Sequence, residues 1–339
     1  MNLKDKKILL FAPGGCTGHY GSHISKELER RGAMVVSYDE RPSQNSYSKI
    51  AIRLLKKRLP FIFSKYIDEI IKLYADINFD FIFVIRGEAF MPQSVKRLNV
   101  AFPDARLILF LWDILATTNV KEIIPFFDRV LTFDPEDATY DTKMVFRPLF
   151  FLDCFKQISV QKSYQYDVFF SGTIHSNRFT ILKQVKKNLE LGNLIFYFYY
   201  FLPAKIVFFQ NKIFNKSFKH AHLKDFNYKP LTLCENLDKI QKSRCILDIR
   251  YPGQKSMSMR VFEAIGANRK LITNNPEIRF YNFYNENNIW VIDENSFKVP
   301  ASFFETPYQG IPENIYNEYT LASWIDDVFN FEEVKSYFL

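Results

Sequence analysis

The chain has 339 residues, of which 47 % are hydrophobic and 24 % charged, a balance that excludes a disordered, collagenous or fibrous protein. At about 100–200 residues per domain, the length favours two medium domains. Lysine and arginine outnumber aspartate and glutamate by 45 to 37, and the resulting net charge of +8 points to an anionic partner or surface.

No apolar run predicts a membrane span. The longest, residues 194–204, is about half of the ~20 residues required and contains Pro203. The N-terminal apolar run breaks at Pro13-Gly14-Gly15, too soon for a secretory segment. Cys16, Cys154, Cys234 and Cys245 are scattered and form neither a metal pair nor a disulfide framework, so a reducing, cytoplasmic compartment is expected. No zinc-finger spacing, RNP-like motif or sustained basic heptad appears, and nucleic acid is not an expected partner.

In chain order, residues 6–13 read as a strand, 23–32 as a helix stopped by Gly32, and 33–40 as a second strand, which together make one βαβ unit. A basic helix is expected over 50–59 and a helix over 64–74. A strand over 79–87, a helix after Pro92, a strand over 105–113, a short helix after Val120 and a strand over 129–134 follow. Residues 149–165 lack periodicity. The pattern restarts with a strand over 166–173 and a helix over 177–191. Strands over 194–200, 244–250, 270–274 and 288–293 then alternate with helices around 237–242 and 259–267. Residues 196–222 mix Tyr, Phe and Lys without clean helical spacing. Alternation of this kind predicts parallel sheets covered by helices on both faces. The economical reading is two Rossmann-like domains: residues 1–150, a linker over 151–165, and residues 166–312. A final stretch, 313–339, carries a helix that packs on either domain.

Chemistry concentrates in three places. Gly14, Gly15, Gly18 and Gly21 lie where the first strand turns into the first helix, a position at which small residues let backbone amides approach an anion or polar ligand. His19 sits in the same turn and Asp39 ends the second strand. Around the second region, residues 246–253 read as a strand and polar loop. Ser258, Arg260 and Glu263 then fall on one short helix before the strand that ends at Asn274. Third, Gly172 and Arg178 flank the turn after the strand over 166–173, and Asp113 closes a central strand at the edge where α/β sheets form their clefts.

The Arg260-Val261-Phe262-Glu263-Ala264 helix, with its glycine stop and the Lys270–Thr273 strand, resembles the nucleotide-sugar-binding segment of GT-B glycosyltransferases, particularly the bacterial branch that builds cell-surface polysaccharide and lipopolysaccharide. Residues 168–173 with Asn177-Arg178, Leu111-Trp112-Asp113 and residues 133–138 resemble further parts of that family. The resemblance implies two Rossmann-like domains facing across a cleft. It implies that Glu263 accepts hydrogen bonds from the donor ribose, that the helix N-terminus faces the diphosphate with Arg260 and Arg178 as its cations, that Gly172, Ser258 and Asn274 also belong to the nucleotide-sugar site, and that no metal or bound cofactor is needed beyond the nucleotide-sugar co-substrate. Many relatives carry a second glutamate where this chain has Ser256. The turn bearing Gly15, Gly18 and His19 resembles the acceptor-side turn of the lipid-linked N-acetylglucosaminyl transferase of peptidoglycan synthesis, with Cys16 interrupting the pattern. An inverting enzyme needs a base for the acceptor hydroxyl, and Asp113 and His19 are the candidates.

The expected acceptor is a surface glycan or lipid-linked sugar. Lys49, Arg53, Lys56, Lys57 and Arg58, interleaved with Ile50, Leu54 and Leu55, read either as a contact with an anionic membrane at the inner face of the plasma membrane or as a solvated helix face. Two other readings stand beside the transferase. Gly15, Gly18 and Gly21 satisfy the spacing of NAD-dependent sugar-nucleotide epimerases and dehydrogenases, whose Tyr-x-x-x-Lys pair is matched only by Tyr251 and Lys255, with Pro252-Gly253 between them. A non-catalytic glycan-binding scaffold of the same fold is the third.

Overall fold

The computed structural model describes residues 2–14, 18–41, 60–332 and 335–339. Gly15, the helix expected over 50–59 and the basic residues Lys49, Arg53, Lys56, Lys57 and Arg58 lie outside the described residues. The chain divides into two compact units, Met1–Pro148 with Leu321–Ser336, and Leu149–Thr320 with Tyr337–Leu339.

Unit 1 is built from β1 (Lys7–Ala12), α1 (Gly18–Arg30), β2 (Met34–Asp39), α2 (Pro60–Leu73), β3 (Phe81–Ile85), α3 (Pro92–Ala101), β4 (Arg106–Leu111), β5 (Arg129–Thr132) and β6 (Met144–Phe146). The strands form one sheet in the order β2-β1-β3-β4-β5-β6, every pair parallel. β1, β3 and β4 are near-continuous apolar runs, and β5 is buried along its whole length, because both faces of such a sheet are covered. Alternate side chains separate the two faces. Leu9, Phe11, Ile82, Val84, Leu107 and Leu109 join the core with α2 and α3 residues such as Ile67 and Val95. Phe83 and Phe110 instead meet Trp324 of the C-terminal helix Leu321–Phe329, at ring-centroid distances of 5.9 and 4.8 Å.

That helix, which periodicity alone leaves unassigned, belongs to unit 1 for an identifiable reason. Leu321, Trp324, Ile325, Val328 and Phe329 form one buried face. Charged partners fix its register: Asp327 pairs with buried Arg147 at 2.8 Å and its carbonyl accepts from Arg129, while Arg31 pairs with Asp326. The short helix expected after Val120 is a single 3₁₀ turn, Ile124–Phe126, which contains Pro125.

Unit 2 runs through α4 (Asp153–Lys156), β7 (Tyr166–Thr173), α5 (Arg178–Leu191), β8 (Phe196–Phe201), α6 (Lys205–Phe214), α7 (Leu233–Gln241), β9 (Ser243–Asp248), α8 (Met259–Gly266), β10 (Lys270–Thr273), β11 (Ile289–Val291), α9 (Ala301–Glu305) and α10 (Glu313–Glu318). Its parallel sheet has the order β11-β10-β9-β7-β8. α7 starts four residues before its expected position because Thr232 and Glu235 form a reciprocal capping box, Thr232 Oγ1 accepting from the Glu235 amide and the Glu235 carboxylate from the Thr232 amide. α8 ends at Gly266, where a Cβ would lie 2.6 Å from Phe151 Cγ, so glycine is what lets the helix pack there.

Each sheet reverses its strand order once, beside β1 in unit 1 and beside β7 in unit 2. In such sheets the carboxyl ends of the two strands at the reversal diverge in their connections and leave a crevice. Unit 1 therefore has its crevice beyond β1 and β3, and unit 2 beyond β7 and β9. The fold makes one stability prediction. Trp324→Ala empties a fully buried site between Phe83 and Phe110 and should cost about 3–5 kcal/mol, read as a lowered urea midpoint with an unchanged slope. Wild-type stability in that variant would contradict the assignment of the helix to this core.

Candidate functional site

At the β7/β9 reversal of unit 2 the two strand ends and the start of α8 converge on Asp248. This buried carboxylate closes β9, and its Oδ1 accepts from Ser258 Oγ at 2.8 Å and from Arg260 Nη1 at 3.1 Å. Ser258 is the residue that precedes α8, yet its side chain makes no capping bond to the helix, because the hydroxyl is turned to Asp248. Arg260, one residue inside the helix, also lies over the Phe170 ring at 5.3 Å. A Cβ at Gly172 would come within 3.0 Å of Arg260 Nη2, so glycine at this point of β7 makes room for the guanidinium.

Arg178 opens α5 and is buried. Its Nη1 donates to the Thr173 carbonyl at 2.9 Å and its Nη2 to the Ile249 carbonyl at 2.5 Å, which ties the end of β7 to the end of β9. Nε has no hydrogen-bond partner among the described residues. Burial, then the neighbouring charge of Arg260, lowers its pKa to about 10, so it is cationic at neutral pH. His175 hangs from the same β7–α5 loop, next to Ser176 at φ 49°, with its ring 5.1 Å from that of Tyr251. Burial, and then Arg178 and Arg260, push its pKa down from 6.5 to about 3. Two arginines and a neutral imidazole thus meet at the N-terminal end of a helix, where backbone dipoles add further positive potential.

Glu263 lies one turn beyond Arg260 and is buried, with Asn236 of α7 donating to its Oε2 at 3.3 Å. Asn274 is buried after β10, where it accepts from the Arg250 amide at 2.9 Å and donates to Glu294 at 2.8 Å; these bonds hold the two loops together. Gly172, Arg178, Ser258 and Arg260 are therefore brought to one place. Asp248 and His175 complete that place and were not singled out from sequence. Asp248 had a usable signal, an acid closing the apolar run Cys245-Ile246-Leu247 at a carboxyl edge.

In unit 1 the reversal is lined differently. The chain leaves β3 through Arg86 at φ 75° and Gly87 at φ 71°, a left-handed pair that only the glycine adopts without strain. Arg86 Nε stands 2.9 Å from Asp113 Oδ2 and its Nη1 3.3 Å from Glu40 Oε1. Arg41 pairs with Glu88 at 2.6 Å. Glu40 is fully buried, and burial pushes its pKa up to about 7 against the pull of Arg86 and Arg41, with Glu88 and Asp113 adding to the rise. Asp113 is half exposed, just past the end of β4. His19 occupies the first turn of α1. Tyr20 and Trp112, the neighbours of the two candidates, have ring centroids 5.8 Å apart, so both candidates lie at the carboxyl edge of the sheet. Gly14, Gly18, His19, Ser22, Tyr38 and Asp39 line an open groove of about 600 Å³ beside β1 and β2. Tyr251 and Lys255 fall in a turn with Gly253 at φ 81° and not on a helix. Among the described residues no three or more His, Cys, Asp or Glu side chains are grouped to hold a metal ion, and no helix is long and apolar enough to cross a membrane.

The low pKa of His175 has a measurable sign. The ring stays neutral in the folded state, so its contribution to stability is complete above pH 6.5 and is lost as pH falls from there towards about 3. In histidine NMR spectra assigned with a His175→Asn variant, its ring signals should not titrate between about pH 5 and 8, and inorganic pyrophosphate should raise its pKa by offsetting Arg178 and Arg260. A midpoint near 6.5 in the free protein would contradict this environment.

No protein-family model matches the sequence, and no curated protein matches it. Solved structures do match. An Anabaena HepE in complex with UDP-glucose is similar at a TM-score of 0.58 and 10 % identity, over 95 % of this chain and 98 % of that one. The catalytic domain of starch synthase IV from Arabidopsis thaliana, bound to ADP and acarbose, is similar at 0.55 and 12 %, over 97 % and 96 % of the two chains. A UDP-GlcNAc 2-epimerase from Methanocaldococcus jannaschii is similar at 0.50 and 12 %, over 96 % and 99 %. Two parallel α/β units in this arrangement along the chain are those of the GT-B fold, and the chain has that fold.

Proposed function

We propose that the protein is a glycosyltransferase that moves a sugar from a nucleotide-sugar donor to a glycan or lipid-linked acceptor of the cell surface. One observation carries the reading: Arg178, Arg260 and the uncapped start of α8 meet at the topological reversal of unit 2, an arrangement suited to a diphosphate. In the transfer, negative charge develops on the departing diphosphate as the bond from the anomeric carbon breaks. Arg260, oriented by Asp248, would meet that charge directly, and Arg178 would act as a fixed positive charge behind it, since its Nη groups are engaged by backbone carbonyls. Glu263 would accept the ribose hydroxyls while Asn236 holds its other side. Gly172, Ser258 and Asn274 would shape the pocket and its loops. No metal is required, because the arginines and the helix dipole supply the charge.

The acceptor hydroxyl must lose a proton if configuration inverts, and we assign that step to a group in unit 1, Asp113 in preference to His19. Asp113 is the more exposed carboxylate of a charged group held by Arg86, at the end of a central strand. Gly15 and Gly18 would border the acceptor. A cytoplasmic enzyme at the inner face of the plasma membrane fits this substrate class.

A second reading has its own observation. The groove of unit 1 sets Gly14 and Gly18 beside Asp39, as a dinucleotide site would, and an NAD-dependent sugar-nucleotide epimerase would use it. The placement of Tyr251 and Lys255 in a turn argues against that chemistry. A thermal-shift panel of UDP-, GDP-, CMP- and dTDP-sugars with NAD and NADP separates the two. A shift with dinucleotides alone would sink the transferase, and no shift with any would favour the scaffold.

Given the correct donor, Glu263→Ala should weaken its binding by about 1–3 kcal/mol in calorimetry, the loss expected when buried hydroxyls lose a charged partner. Unchanged affinity in a folded variant removes Glu263 from the site. For the base, Asp113→Asn should lower kcat by roughly 10²–10⁴-fold with donor affinity nearly unchanged, and His19→Ala should do less. Full activity in both variants would mean that the base lies elsewhere or that the reaction retains configuration.

A further inference from the structure

α6 is amphipathic in an unusual sense, because its outward face is apolar. Phe208 is buried in the core of unit 2 against Phe218 and Phe226, and Val207 packs partly against the same core. On the opposite side Ile206, Phe209 and Ile213, spaced three and four residues apart, and then Phe214 are 57, 49, 75 and 83 % exposed. Single exposed apolar residues are ordinary on protein surfaces, but four large ones on one short helix make a patch.

The chain segment that carries this patch has charge of one sign. Residues 191–224 contain five lysines, Lys205, Lys212, Lys216, Lys219 and Lys224, and no aspartate or glutamate. Lys205 borders one edge of the apolar face, Lys212 on the same edge donates to the Lys219 and Ala221 carbonyls at 2.7 and 2.8 Å, and Lys216 and Lys219 continue from the end of the helix in exposed positions. A second copy of this chain seated on the patch about a two-fold axis would set these lysines against their own like charges. An acidic polymer would satisfy the lysines and leave the isoleucines and phenylalanines in water. A bilayer with anionic headgroups satisfies both.

We propose that α6 docks the protein on an anionic lipid bilayer, with Ile206, Phe209, Ile213 and Phe214 entering the headgroup boundary and the lysines meeting lipid phosphates. The position of α6 within unit 2 gives the contact a consequence for the site. It follows β8, whose end pairs with the end of β7, and Asn215 at its C-terminus donates to the Ser176 carbonyl at 3.0 Å, in the loop that carries His175 and leads to Arg178. A bilayer against α6 therefore lies beside the candidate donor site. Resting on the transferase reading for this step, the acceptor is lipid-linked rather than a free glycan.

Sedimentation of the full chain with phosphatidylglycerol–phosphatidylcholine vesicles, and with phosphatidylcholine alone, tests the docking without any sugar substrate. The wild type should bind the anionic vesicles, less so at raised salt, and Ile206→Ser/Phe209→Ser/Ile213→Ser should lower binding about tenfold or more. Lys205→Glu/Lys216→Glu/Lys219→Glu should do the same. Both variants change exposed side chains, and intact near-UV circular dichroism with unchanged nucleotide-sugar binding in solution confirms that unit 2 is folded. Absence of wild-type binding, or wild-type binding by the apolar variant, overturns the proposal. So does a dimer in light scattering that the apolar variant dissolves, which would identify a second copy as the occupant. Vesicle binding in a protein that takes no nucleotide-sugar would leave the docking standing and remove the transferase.

Discussion

Asp248 is the constraint on which the geometry of unit 2 depends. A carboxylate at the buried end of a strand is costly unless its lone pairs are taken, and here Ser258 and Arg260 share one oxygen. Those two bonds set the distance between the end of β9 and the start of α8, and they turn the Ser258 hydroxyl away from the helix it would ordinarily cap. Arg178 performs the matching task between β7 and β9 by donating to a carbonyl from each side. The sheet edge is thus closed by charged groups whose hydrogen bonds run inward, while their positive charge remains at the crevice.

That arrangement explains the electrostatics of the loop after β7. Two guanidinium groups so close together repel, and each is held by a structural partner: Arg260 by Asp248 and the Phe170 ring, Arg178 by two carbonyls. Burial disfavours a charged His175, and a protonated ring would also be a third cation in the same space, so its pKa falls. Any anion that enters offsets both guanidinium charges at once. Such a site stores repulsion that binding releases, which favours a multiply charged ligand over a neutral one.

The sequence discloses the fold well because parallel sheets covered on both faces leave apolar runs that are hard to mistake, as in β3, β4 and β9. The α8 region is legible for a second reason, since its Arg-x-x-Glu spacing and glycine stop are local features. What escapes is long-range. Whether Asp326 and Asp327 face solvent or pair with Arg31 and Arg147, nearly 300 and 180 residues away, is not written in any window around them. The same holds for Glu40 and Arg86, which meet only because β2 and β3 flank β1 in the sheet. His175 escaped because a histidine in a loop acquires meaning only from the two arginines beside it. Residues 205–214 defeated a periodicity reading because the helix is apolar outward as well as inward, so the usual contrast between faces is absent.

The two units use one topology to opposite electrostatic ends. Both reverse strand order beside their first strand, so both offer a crevice at the carboxyl edge. In unit 2 the crevice collects Arg260, paired with the buried Asp248, and Arg178, held by two backbone carbonyls. In unit 1 it collects Glu40, Glu88 and Asp113 around Arg41 and Arg86, and there burial pushes Glu40 up to about 7 against the pull of the two arginines, with Glu88 and Asp113 adding a smaller rise. Because this pKa is raised, a neutral Glu40 favours the folded state at low pH, and that contribution is lost as pH rises from about 4.5 through 7. A cationic crevice suits a leaving group that gains negative charge. The half-exposed Asp113 carboxylate at the other crevice, held by Arg86, is placed to take a proton from a hydroxyl. In the proposed transfer the two demands fall on different units, and the unequal decoration of the same strand reversal is the physical form that this division takes.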